Sequence, residues 1–102
     1  MSVEENVYVS ELFDEYSLLL TDNKREIFEM HFKLDLSLGE IAEIRGVSRQ
    51  SVSDCIASVK TQLISFEEKL GLLRKKKEIL SILNNIGDDK LISEIDKILE
   101  EN

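Results

Sequence analysis

Apolar residues recur along most of this chain at steps of three and four, the spacing of helices that turn one face inward. Residues 3–20, VEENVYVSELFDEYSLLL, set Val3, Val7, Val9, Leu12, Phe13, Tyr16, Leu19 and Leu20 on one helical side, with Glu4, Glu5, Glu11, Asp14 and Glu15 elsewhere. A first helix is predicted there. Thr21 or Asp22 can cap a second helix running to Phe32, because a side-chain oxygen at that place accepts the N–H groups of a first turn. Ile27, Phe28 and Met30, joined by Phe32, supply its inner side. The run KLDLS breaks the rhythm. Ser37 and Glu40 then make an S-x-x-E capping box for a short third helix that ends at Gly46, and Ser48 caps a fourth.

From there Val52, Ile56, Val59, Leu63, Phe66, Leu70 and Leu73 follow at steps of four and three, a heptad seam. Gly71 lies inside it and predicts a bend or an end, since glycine is unfavourable in a helix interior. The remainder reads as a helix to about Ile86, a break at Gly87 with Asp88 or Asp89 as cap, and a last helix carrying Leu91, Ile92, Ile95, Ile98 and Leu99. There is no proline and no run of alternating β-branched residues, so the fold class is all-α. With 102 residues the chain supports one core. We expect a single domain over 1–102, with a helix-turn-helix core at 21–63 and a C-terminal helical dimerisation extension at 64–102. No apolar run approaches 18 residues and no secretory pattern opens the chain, which predicts a cytoplasmic protein without membrane insertion.

The stretch SLGEIAEIRGVSRQSVSDCIASVK, Ser37 to Lys60, has the layout of a helix-turn-helix. Two short helices that cross steeply need a small residue where they meet, and Ala42 is one. Gly46 suits a turn that demands positive φ, while Ile41, Val47, Val52 and Cys55 stand where packing residues would join the helices. Gly46 to Val52 supplies a turn, a cap and an exposed polar row in order.

On these residues, Leu36 to Leu63 resembles the helix-turn-helix of bacterial sigma factor region 4. The whole chain, from its acidic first helix through LLTDNKREIFEMHF and the motif to the helical tail, is similar to the YlxM-type proteins of Gram-positive bacteria. The resemblance implies a sigma-region-4-like bundle with a long recognition helix and a C-terminal helical extension, acting as a DNA-binding regulator connected with the signal recognition particle pathway. It further implies that the helix begun at Ser48 enters the major groove, with Arg49 on guanine or phosphate, Gln50 on adenine, and Ser53 and Asp54 beside them. Ser37 and Ser48, at two helix N-termini, and the Ser51 hydroxyl would receive phosphate oxygens, with Lys60 adding charge. Where the sigma pattern has arginines this chain has Ser51 and Ser53, and Asp54 places a negative charge in the row, which predicts weaker binding.

Charge changes this picture. The formal net charge is -8; the first twenty residues hold five acids and no Lys or Arg, and no later segment is basic. Binding to phosphate therefore requires the cations of residues 21–60, namely Lys24, Arg25, Lys33, Arg45, Arg49 and Lys60, to share a face. The rival reading is an accessory protein of the signal recognition particle that touches its GTPase or its RNA through acidic helices and does not bind DNA. The run Arg74 to Lys77 reads as a solvated helix face among Glu67, Glu68 and Glu78. Cys55 reads as a small core residue and His31 as a half-exposed packing residue; no catalytic constellation, metal site or cofactor motif is expected. The seam outruns the short helices before it, so either the two C-terminal helices fold back over its far half or the same helix of a second copy packs there; we expect a two-fold homodimer that uses both, with Val59, Leu63, Phe66, Leu70 and Leu73 at its interface.

Overall fold

The computed structural model describes residues 3–100, and their side chains from Glu4 onward. Six α-helices occupy most of that span and no strand occurs among the described residues. The helices are α1 (Val3–Tyr16), α2 (Asp22–Phe32), α3 (Leu38–Arg45), α4 (Arg49–Leu70), α5 (Leu72–Ile86) and α6 (Asp89–Glu100).

The 22-residue α4 is the axis, because Val52, Ile56, Val59 and Leu63 form an unbroken apolar stripe along it and all four are buried. Against that stripe α1 lays Leu12, Phe13 and Tyr16, α2 lays Ile27 and Phe28, and α3 lays Ile41 and Ala42. Phe28 has no exposed surface; its ring centroid lies 4.9 Å from Phe13 and 4.2 Å from Phe32, on which it stacks.

The first helix ends earlier than its pattern predicts. Past Tyr16 the chain tightens into a 3₁₀ turn over Ser17–Leu19, and Arg25 holds that turn by donating to the carbonyls of Ser17 (3.1 Å) and Leu20 (3.2 Å). Val9, Leu12, Phe13, Tyr16 and Leu20 are buried, whereas Val7 and Leu19, expected beside them, are exposed. The Val3 side chain lies outside the described residues. Thr21 is the cap of α2, accepting the Lys24 N–H. Asp35 takes a left-handed conformation (φ 55°), a place aspartate tolerates better than most residues, and this is what interrupts KLDLS.

The seam does not run straight to Leu73. Gly71, at φ 62°, ends α4, and the chain turns so that α5 leans back against α1. Leu73 returns to the core on the new helix, while Leu70 stands 44 % exposed at the corner. The expected boundary at residue 63 accordingly falls within a continuous helix, and the break comes at Gly71.

Gly71 offers α5 no capping side chain, so distant residues cap it. The Tyr16 hydroxyl accepts the Leu72 N–H (3.0 Å) and donates to Glu67 Oε1 (2.5 Å), whose carboxylate accepts the N–H groups of Leu73 and Arg74. Burial raises the Glu67 carboxyl, but the Tyr16 hydroxyl and these two N–H groups outweigh it and leave the group below its ordinary pKa. Tyr16, buried and beside that carboxylate, is pushed up to about 12.

Beyond Gly87, Asp88 caps α6 by accepting the Leu91 N–H at 3.0 Å. No residue of α6 is buried; the helix rests mainly on α5. Among the described residues no helix is long and apolar enough to cross a membrane.

Candidate nucleic-acid interface

The capping box forms as its spacing requires: Ser37 Oγ accepts the Glu40 N–H and Glu40 Oε1 accepts the Ser37 N–H, both at 3.1 Å. Those bonds hold the Glu40 carboxyl below its usual pKa. Gly46, at φ 67° and ψ 35°, closes α3, and the Val47 N–H reaches back to the Ala42 carbonyl (3.0 Å). Ile41, Ala42 and Val52 are buried where α3 crosses α4. Cys55 is half-buried against the same core, and burial pushes its thiol pKa up. Val47 departs from its expected packing role. It is 45 % exposed, on the rim of a cleft shared with Ile27, Ile44 and Cys55.

The turn sends the first coils of α4 outward. Ser48, Arg49, Gln50, Ser51 and Asp54 are exposed and Ser53 is half-buried. Ser48 Oγ accepts the Ser51 N–H (3.0 Å) while its hydroxyl donates to Ser51 Oγ (2.9 Å), so the Ser48 hydroxyl is occupied as a cap. Gln50 is also engaged, its Nε2 donating to Asp54 Oδ1 at 2.8 Å. Arg49 makes no hydrogen bond or ion pair among the described residues. With the Ser51 N–H taken by that cap, the N–H groups of Arg49 and Gln50 have no intrahelical partner, and no acidic residue lies in this first turn. Lys60, further along, sits over the Phe32 ring, 5.5 Å from its centroid.

The other cations serve as struts. Lys33 pairs with Asp14 (2.9 Å) and bonds Ser10, tying α2 to α1; Arg45 pairs with Glu26 (2.9 Å) and bonds Asn23, tying α3 to α2. Lys24 donates to Gln62, and Arg25 holds the 3₁₀ turn. The expected basic face is thus distributed among helix-helix joints. His31 bonds the Leu36 carbonyl through Nδ1 (2.9 Å) and meets Phe32 edge-on, which fits a packing residue. Arg74 to Lys77 lie at the start of α5, on a different helix from the motif. Among the described residues no group of three or more His, Cys, Asp or Glu side chains is placed to hold a metal ion.

The residues expected to meet a second copy are placed differently from that expectation. Val59 and Leu63 have no exposed surface and Leu73 is buried, all covered by the chain's own helices. Phe66 packs beside Tyr16, with ring centroids 5.9 Å apart, and Leu70 alone of the five is exposed. All of the seam but the corner at Leu70 is packed inside the chain.

With this geometry in view, residues 3–101 match a protein family described as "Putative helix-turn-helix protein, YlxM / p13 like". The chain belongs to this family, UPF0122. It is 46% identical over 80 residues to a UPF0122 protein of Thermoanaerobacter sp. (strain X514), covering 78% of this chain and 68% of that one. A UPF0122 protein of Clostridium botulinum is 39% identical over 101 residues, 95% and 93% of the two chains, and one of Ureaplasma urealyticum is 36% identical over 91 residues, 89% and 92%. In this UPF0122 chain the sequence reading missed the closure of Gln50 on Asp54. The signal was present, since Gln and Asp four apart on a helix are neighbours.

Proposed function

We propose that this UPF0122 protein binds duplex DNA with the N-terminal turns of α4, as its likeness to sigma factor region 4 implies, and acts as a cytoplasmic regulator. One observation carries the reading: Arg49 stands exposed, with no ion pair among the described residues, at the start of a helix on which Gln50, Ser51 and Asp54 also face solvent. Arg49 and the N–H groups of the first turn supply phosphate or guanine contacts. Gln50 reads adenine once it exchanges Asp54 for a base edge.

Duplex binding measured by mobility shift at about 50 mM and about 200 mM salt tests this. Some three phosphate contacts predict a loss of roughly ten- to a hundredfold between the two. Arg49→Ala with Gln50→Ala should weaken the low-salt complex at least about tenfold. No shift of any duplex at low salt refutes the reading.

A second reading has its own support. Four of the six cations around the motif are bound to other helices or turns of the chain, and the net charge is -8, which disfavours a phosphate backbone and favours a protein partner in the signal recognition particle pathway over DNA. Pull-down by the particle's GTPase, unaffected by Arg49→Ala, would favour it, whereas capture by its RNA would count against it.

A further inference from the structure

α5 carries two apolar stripes. Leu73, Lys76, Leu80 and Leu83 turn toward the chain and are buried or half-buried. Leu72, Lys75, Ile79, Ile82 and Ile86 are spaced three, four, three and four, and all five are exposed, Ile82 and Ile86 by 62 % and 64 %. That second stripe is a heptad seam that its own chain leaves exposed. On α6, Leu91 and Ile98 are exposed as well, seven residues apart on one face.

We propose that a second copy of this chain covers the outer stripe of α5, antiparallel about a two-fold axis at Ile79. The stripe is nearly symmetric about that residue: Leu72 and Ile86 lie seven residues to either side, so each faces the other across the two copies, and Lys75, four residues before it, comes within one residue of the second copy's Ile82, three residues after it. Charge selects the direction. All four cations of α5 fall in Arg74 to Lys77, and Ile79 to Ile86 carries no charge, so parallel packing would set like charge on like. The antiparallel arrangement separates the two blocks and brings Arg74 and Lys75, on their long stems, toward the acidic turn Asp88 and Asp89 of the second copy. Area is sufficient. At on the order of 100 Å² for each half-exposed Leu or Ile, the four apolar residues of the stripe with Leu91 and Ile98 bury roughly 600 Å² per protomer, approaching the about 800 Å² of a standard interface. A self-matching patch is what a two-fold dimer requires, and this assignment does not depend on DNA binding.

Sedimentation velocity at micromolar concentration should give twice the 11.7 kDa mass of the chain, and Ile82→Glu should give the single mass with its helical circular dichroism intact. Cysteine pairing then tests direction and register in a Cys55→Ser background, whether or not the glutamate variant folds. Ile79→Cys should oxidise to a covalent dimer, whereas Lys75→Cys should not, because an antiparallel pair sets those positions about 12 Å apart along the axis. A wild-type monomer overturns the proposal, and so does a dimer that cross-links equally through Lys75→Cys. A dimer that shifts no DNA leaves this interface standing and removes the proposed function; a monomer that shifts DNA does the reverse.

Discussion

The bundle of α1 to α4 and the hairpin of α5 and α6 are written in the same helical code and reach different ends. In the bundle, each apolar stripe meets another from the same chain, and Tyr16, Phe28, Leu12, Ile41, Leu63, Val52 and Val59 are sealed completely. In the hairpin the division of apolar from polar faces is sharper still, yet only Leu73 and Leu83 are buried. The contrast teaches that amphipathic pattern reports how strongly a face seeks cover, and the identity of the cover depends on length and topology. α4 is surrounded by three helices; α6 has little more than α5 to lie on.

The strongest way to sharpen that contrast is a matched pair of truncations. Phe28→Ala should lower the unfolding free energy by about 3–5 kcal/mol, independent of protein concentration, because its cavity opens inside one chain. Ile82→Ala should cost under about 0.5 kcal/mol in dilute protein and more as concentration rises, since its cover belongs to a second copy. Urea unfolding at two protein concentrations distinguishes them, and equal behaviour would erase the distinction.

The joint between the two regions gives the next effect. Tyr16→Phe removes the acceptor for the Leu72 N–H and the donor to Glu67, and should cost about 1–2 kcal/mol with faster amide exchange at Leu72 to Arg74. Both titrations have a definite sign. Glu67 titrates below its ordinary value in the folded protein, so the stability it lends is present above that value and lost as pH falls through its folded pKa. Tyr16, raised to about 12, lends stability that is full below about 10 and lost as pH climbs through 12. Glu67→Gln should flatten the acid limb of the stability profile, and an unchanged limb would show that the corner does not depend on that carboxylate.

Smaller effects belong to the motif. Ser37→Ala breaks the capping box of α3 and should cost about 1 kcal/mol by urea midpoint. Asp54→Asn removes the one acid from the exposed row and should tighten duplex binding by about two- to fivefold at low salt, with little change in stability.

Features written locally were legible in the sequence. The Ser37–Glu40 box, the turn at Gly46, the Ser48 cap and the break at Gly87 each need only a few neighbouring residues, and each forms. What escaped depends on distance. The 3₁₀ ending of α1 is held by Arg25 from the following helix, and α5 is capped by a tyrosine 56 residues earlier in the chain. The seam to Leu73 looked continuous because its spacing survives the corner at Gly71, and its register cannot say that α1 and α2 already cover Val59 and Leu63. At the candidate site the exposed row was visible as a pattern. That Lys33 and Arg45 would be spent on Asp14 and Glu26 was not, because ion pairs across helices leave no spacing to read.

Amide chemical-shift mapping during titration with duplex DNA tests most directly whether the first turns of α4 make the contact. The signals of Ser48 to Asp54, and those of Ser37 and Leu38 at the start of α3, should move together and be lost from the response in the Arg49→Ala, Gln50→Ala chain. Perturbation confined to Arg74 through Lys77, or to no residue at all, would contradict it.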